Sequence, residues 1–219
     1  MTNQLNKEIN NLFGLAFNHH KNNNYNKARD LYAKVLTIDP NHFETIFLLG
    51  SLSVQTNDYT NAKNYFEKAN KIKPNDAKVY FNLGVVNVEL ANLSTAIKYY
   101  EKAILLRDNH ANTHNNLGQI FLKLGKYQKS AVFFEQAIKI DPNNAIAHNN
   151  LGLAFKGLGN LKKATIHFEQ AINIEPNNVI YNSNYGELLI DLNEHKKGLK
   201  YIQKGFGSIS FSSNGFKVV

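Results

Sequence analysis

The stretch Ala111–Asn144, ANTHNNLGQIFLKLGKYQKSAVFFEQAIKIDPNN, decides the fold. It is 34 residues long, and stepping by that length from its Leu117-Gly118 lands on Leu49-Gly50, Leu83-Gly84 and Leu151-Gly152. Weaker outer copies stand at Leu15-Ala16 and Tyr185-Gly186. Self-similarity at a fixed period of this size, without insertions, marks a helical repeat array. Chain length then says little about domain number, because each repeat packs only on its neighbours.

Repeat starts fall at Ile9, Phe43, Ala77, Ala111, Ala145 and Val179. In each unit the apolar spacing predicts a first helix over roughly positions 1 to 14 and a second ending near position 30. The turns between them read Asn23-Asn24, Asn57-Asp58, Ala91-Asn92, Gly125-Lys126, Gly159-Asn160 and Asn193-Glu194. Asn and Gly suit such turns because they tolerate left-handed backbone angles. Second helices are expected to stop before Asp39-Pro40, Lys73-Pro74, Asp141-Pro142 and Glu175-Pro176, since proline disfavours helical geometry at the residue before it. The third unit has Arg107-Asp108 there instead. Asn or Asp after the proline can cap the next helix.

The fourth unit carries His114, Leu117-Gly118, Phe121, Ser130, Phe134, Ala137 and Pro142 at repeat positions 4, 7–8, 11, 20, 24, 27 and 32. The fifth carries His148, Leu151-Gly152, Phe155, Ala164, Phe168, Ala171 and Pro176 at the same places. The second and third repeat much of this, with Gly50, Ala62, Phe66 and Ala69, and with Gly84, Ala96, Tyr100 and Ala103. This order of large, small and aromatic residues resembles the tetratricopeptide repeat family over about residues 9 to 207. The resemblance implies an all-α, right-handed superhelical solenoid of about six helix-turn-helix units. Small residues at positions 8 and 20 would let the paired helices approach closely, and the aromatics at 24 would fill the space between successive units.

The sixth unit departs from the pattern, with Asn182 at position 4, Gly198 at 20, Gly205 at 27 and no terminal proline. Two helical glycines at about 1 kcal/mol each make it the expected weak end of the array. Residues 208–219, SISFSSNGFKVV, alternate Ile209 and Phe211 in a strand-like way but are too short to fold alone. They read as a C-terminal tail or as the start of a missing second domain.

Composition excludes several classes. The chain has no cysteine, so disulfides, zinc–thiolate sites and thiol catalysis are out. No apolar run is long enough to span a bilayer, and the first residues lack the layout of a secretory signal. The expected compartment is the cytoplasm. The net charge of +8 comes almost wholly from lysine, with Arg29 and Arg107 the only arginines. Second-helix lysines at position 26 alternate with Glu67, Glu101, Glu135 and Glu169, which is a solvated outer face rather than a one-sided nucleic-acid stripe.

At 100° per residue, positions 4, 7, 8 and 11 of the first helix face the core, while positions 2, 6, 9 and 13 point away. In the family this resembles, that second face lines a concave groove where partners bind. Position 6 reads Asn82, Asn116, Asn150 and Asn184 in the last four units. Position 5 reads Phe13, Phe47 and Phe81, then Asn115 and Asn149. The surface is thus expected to be aromatic early and amide-rich late. A carboxamide offers both donors and acceptors, matching a peptide bond. The asparagine register resembles the ladder in the repeat region of O-linked N-acetylglucosamine transferase, which holds extended peptide. These nine residues are therefore the candidate peptide-binding set.

Other chemistry is not supported. His110 and His114 are four apart, but no HExxH pattern surrounds them, and adjacent His19 and His20 point in different directions. No metal or cofactor is expected. There is no GxSxG elbow, phosphate-cradling glycine loop or dinucleotide fingerprint. The Lys and Asn that clamp chaperone carboxylates in this family are missing from positions 5 and 9. The reading is a non-catalytic scaffold for a protein or peptide partner, bound extended or as a helix, without nucleic acid or membrane and with self-association possible. The alternative is the substrate-recruiting region of a larger enzyme, a glycosyltransferase or oxygenase.

Overall fold

The structure, a computed structural model, describes residues 2–206, 209–212 and 215–218. It divides into two compact units, residues 1–108 and 109–219. The first holds α1 (Thr2–Lys21), α2 (Tyr25–Ile38), α3 (Phe43–Gln55), α4 (Tyr59–Ile72), α5 (Ala77–Glu89) and α6 (Leu93–Leu106). The second holds α7 (Ala111–Lys123), α8 (Tyr127–Ile140), α9 (Ala145–Gly157), α10 (Leu161–Ile174), α11 (Val179–Asp191) and α12 (His195–Phe206). Two short strands follow, β1 (Ile209–Ser212) and β2 (Gly215–Val218), paired antiparallel with Ile209 opposite Val218. The chain is an all-α repeat solenoid up to that pair. Met1, Gly207, Ser208, Ser213, Asn214 and Val219 of the sequence reading lie outside the described residues, as does the environment of Gly205.

Five first helices begin where the period places repeat starts, at Phe43, Ala77, Ala111, Ala145 and Val179. The exception is α1, which starts at Thr2, seven residues before Ile9. Side-chain caps explain several of the sharp starts. Asp76, Asn144 and Asn178 accept from backbone N–H groups of the first turns of α5, α9 and α11. Asp58 and Asn160 do the same for α4 and α10, and the His42 ring does so for α3.

Within a helix pair the closest constraint is a ring against a glycine. A methyl group on Gly50 would sit 2.7 Å from the Phe66 ring, on Gly84 2.5 Å from Tyr100, on Gly118 2.7 Å from Phe134 and on Gly152 2.7 Å from Phe168. Those rings are fully buried. The position-24 aromatic therefore packs on the glycine of its own unit, and is not merely a filler between successive units. Opposite it, Ala28, Ala62, Ala96 and Ala164 are wholly buried. Ser130 takes that place in the fourth unit, and its hydroxyl donates to the Gly118 carbonyl at 2.8 Å, which satisfies it without adding bulk.

The sixth unit solves the same problem with backbone. A Cβ on Gly186 would lie 2.7 Å from the Gly198 carbonyl oxygen, and one on Gly198 would lie 2.6 Å from the Gly186 oxygen. Gly198, expected to weaken α12, is thus what lets α11 and α12 come together. The Tyr185 hydroxyl also donates to the Glu169 carboxylate on α10, tying α11 to the preceding pair. Burial, then the neighbouring Glu169, pushes the Tyr185 pKa up and keeps its proton.

The helix–helix turns each need one left-handed residue. Gly125 and Gly159 supply it freely, and Asn23, Asn57 and Asn193 tolerate it. Ala91 adopts φ 59° with a Cβ, a conformation that costs an alanine on the order of 1 kcal/mol. Two substitutions test these points by thermal or urea unfolding. Ala91→Gly is expected to stabilise the protein by about 1 kcal/mol. Gly198→Ala is expected to destabilise it by roughly 1–3 kcal/mol, because backbone clash outweighs the better helix propensity.

Candidate functional site

In residues 1–108 the early aromatics do two things. Phe13, Phe47 and Phe81 are half-buried on α1, α3 and α5, and each leans on the position-24 ring of its own unit. The centroid separations are 6.1 Å to Tyr32, 5.5 Å to Phe66 and 5.9 Å to Tyr100. Phe13 also stacks on Phe17, and Phe47 on Phe43. Phe13 and Phe47, with Phe43 and Leu48, line a cleft of about 300 Å³ rimmed by Glu44, Asp76 and Lys78. Phe81 is not among its walls.

Leu48 is shared with a second cleft of about 260 Å³, where Phe17, His20 and Gln55 meet. His20 is buried but fully engaged. Its Nε2–H donates to Gln55 Oε1 at 2.9 Å, leaving Nδ1 to accept from the Tyr32 hydroxyl at 3.3 Å. Burial raises the Tyr32 pKa to about 12, so that hydroxyl stays a donor. The first cleft is thus apolar with charge at its rim, whereas the second sets Phe17 and Leu48 among His20, Lys21, Asn23, Ser51 and Gln55.

In residues 109–219 the asparagines bond to one another. Asn184 Nδ2 on α11 donates to Asn149 Oδ1 on α9 at 2.8 Å. Asn149 Nδ2 donates to Asn150 Oδ1 at 3.4 Å, the longest and weakest link. Asn150 Nδ2 donates to Asn115 Oδ1 on α7 at 3.3 Å. The result is a directional relay of four amides across three first helices. Asn115, Asn149 and Asn150 are buried, while Asn184 is half-buried.

That pairing revises the picture of a ladder of independent amides. Each carboxamide has two N–H groups and two lone pairs. Asn149 and Asn150 each use one N–H and one lone pair inside the relay, so one of each is left. Asn116 is half-buried on α7 beside Asn115. Asn82, in the other unit, donates at 2.8 Å to the carbonyl of Lys78, one turn back in its own helix. Asn182, the odd residue at position 4, is fully buried and donates to the carbonyls of Pro176 and Asn178.

A histidine pair links α9 to α10, with His148 buried and His167 half-buried. His148 Nε2–H donates to the Pro142 carbonyl at 3.1 Å, so its Nδ1 is the acceptor for His167 Nδ1–H at 3.3 Å. His167 is stacked between His148 and Phe155, both at 5.5 Å. Burial first, then the charges of His148 and Lys163, lowers the His167 pKa to about 4. Among the described residues no group of three or more His, Asp or Glu could hold a metal. No helix among them is long and apolar enough to cross a membrane.

Lysines at position 19 of the second helices also pack on rings. Lys129, Lys163 and Lys197 lie over Phe121, Phe155 and Tyr185 at 5.6, 4.9 and 5.8 Å. Such exposed cation–π contacts contribute about 0.5–1 kcal/mol each.

Comparison with known proteins agrees with this geometry. Tetratricopeptide repeat models match residues 19–83, 77–110 and 145–178, and a TPR repeat model matches 118–159. The chain belongs to the tetratricopeptide repeat (TPR) family. No curated protein matches it. Among solved structures, MamA is 25% identical with a TM-score of 0.71, covering 78% of this chain and 93% of its own. YrrB, described as a TPR protein with an unusual peptide-binding site, is 23% identical with a TM-score of 0.66, covering 84% and 90%. PilW, described as a widely conserved type IV pilus biogenesis factor, is 18% identical with a TM-score of 0.80, covering 91% and 94%. These TPR neighbours fit a protein-interaction scaffold.

In TPR numbering, Phe43, Leu48, Ile146 and Ile180, at positions 1, 6, 2 and 2, stand on these surfaces beside the nine candidate residues. Position 2 belongs to the outward face of the sequence pattern, and that column carries the exposed Ile146 and Ile180. The histidine pair gives a measurable consequence. An unfolded histidine takes its proton near pH 6.5, whereas folded His167 resists to about pH 4. Its contribution is therefore complete above 6.5 and lost as pH falls toward about 4, on the order of 1–2 kcal/mol after allowing for partial exposure. His167→Phe, which copies Phe133 of the fourth unit, should flatten the melting temperature over that window relative to the parent protein.

Proposed function

We propose that this TPR protein is a non-catalytic scaffold that holds an extended peptide segment of a protein partner against the outward faces of its first helices. The observation that carries the reading is the amide relay Asn184–Asn149–Asn150–Asn115. Amides fixed in orientation before binding lose little conformational entropy when a ligand arrives. Their remaining N–H groups and lone pairs match the carbonyls and N–H groups of a peptide backbone. In residues 1–108 the cleft of Phe13, Phe43, Phe47 and Leu48 supports the same reading, because it suits an apolar side chain. YrrB supports it by analogy, being a fold neighbour described as having a peptide-binding site.

A second reading keeps the same surfaces but makes them the substrate-recruiting region of a larger enzyme. The observation that favours it is the strand pair Ile209–Ser212 and Gly215–Val218, a change of secondary structure after twelve helices.

Panning a displayed library of random peptides, followed by affinity measurement on the best binders, tests the first reading. Peptides are expected to bind, with Asn184→Ala or Phe13→Ala weakening them about ten-fold while the melting temperature moves only a few degrees. A library that yields no binder, or binders indifferent to both substitutions, would overturn it.

A further inference from the structure

The outward stripe of α9 is Ile146, Asn150, Leu153 and Gly157, and that of α11 is Ile180, Asn184, Glu187 and Asp191. Spacings of four, three and four keep each set along one line of its helix. The stripes therefore form rows that run from helix to helix. The middle row is the amide row, tied across α7, α9 and α11 by the Asn150–Asn115 and Asn184–Asn149 hydrogen bonds.

The rows on either side of the amides differ in chemistry. On one side Ile146 is 49% and Ile180 63% exposed, a high value for side chains with no polar group to solvate. On the other side stand Leu153 and Glu187. Lys156 pairs with Asp191 at 2.9 Å and reaches Glu187 only at 3.9 Å. One ammonium against two carboxylates leaves net negative charge there, with the Glu187 side chain 60% exposed.

A ligand crossing the helices meets the same row once per helix, and packed helices lie about 8–10 Å apart. Backbone of α9 and α11 approaches within 8 Å at the closest points. A β-strand advances about 3.3 Å per residue and turns over at each one, so three residues on it shows its opposite face. It cannot offer the same side chain direction to both isoleucines at this repeat. A polyproline II helix advances about 3.1 Å per residue with three residues per turn. Every third residue then points the same way at about 9.3 Å intervals, and all its N–H and C=O groups stay free.

We infer that the amide row of residues 109–219 takes a peptide in polyproline II conformation, with apolar residues every third position against Ile146 and Ile180 and a basic residue facing Glu187. This rests on the peptide-scaffold reading and adds the conformation and sequence class of the ligand. The apolar column supplies burial, the backbone meets the amides, and the third column points to solvent, where proline is tolerated. Ile146, Ile180 and Glu187 determine specificity.

The test uses the full chain and fluorescently labelled peptides of about twelve residues built from Leu-Pro-Lys triplets. The comparison peptide has the same composition with leucine at alternate positions. Fluorescence anisotropy is expected to show the triplet peptide binding about ten-fold more tightly. Ile180→Asp should remove most of that preference, and Glu187→Lys should weaken the Lys peptide but spare a Leu-Pro-Ser version. Both sites are exposed, so melting temperatures should hold. If both peptides bind equally, or Ile180→Asp changes nothing, the inference fails while the peptide scaffold stands. If neither peptide binds, the inference fails, and an empty random library alongside it would remove the scaffold reading as well.

Discussion

An aromatic ring resting on a glycine sets the geometry of the central repeats. Between Gly50 and Phe66, Gly84 and Tyr100, Gly118 and Phe134, and Gly152 and Phe168 there is no room for even one methyl group. That contact fixes how closely the second helix crosses the first. Once it is fixed, positions 4, 7, 8 and 11 of each first helix are committed to the core. The sixth pair meets the same requirement with two glycines, Gly186 and Gly198, and lets backbone touch backbone instead. The outward stripe is what the constraint leaves over, and its exposed positions are where function can vary at least cost to the fold.

The two units use this leftover surface differently. In residues 1–108 position 5 carries phenylalanines that brace the core ring, and two of them, Phe13 and Phe47, also line a cleft. In residues 109–219 positions 5 and 6 carry asparagines that cannot be buried alone, because an unsatisfied amide costs about 1–3 kcal/mol. They satisfy each other across successive first helices, so the groups that would recognise a peptide also tie the repeats together. Stability and recognition are coupled there, whereas an exposed residue such as Ile180 is free of that coupling.

Much of the fold is legible in the sequence because the period is strict. Leu-Gly every 34 residues in four units, continued by Tyr185-Gly186 in the sixth, places five first helices on the residues where they start. Asp76, Asn144 and Asn178 announce helix starts through ordinary capping chemistry. What is not legible depends on neighbours one repeat away. The column of asparagines shows that amides line one face, but only the three-dimensional register shows that Asn150 spends a donor on Asn115. Gly198 reads as a helix weakener by propensity, and its value appears only beside the Gly186 carbonyl. The extension of α1 to Thr2 precedes the first copy of the repeat, so periodicity carries no information about it.

The central claim is that the amides of residues 109–219 are wired to one another before any partner arrives. A double-mutant cycle of Asn149→Ala and Asn184→Ala, read by urea denaturation of the free protein, tests it most directly. The 2.8 Å bond between the two predicts a coupling on the order of 1 kcal/mol, the double variant losing less than the sum of the single ones. Additive losses, equal within about 0.3 kcal/mol, would contradict it and leave the asparagines as independent surface groups.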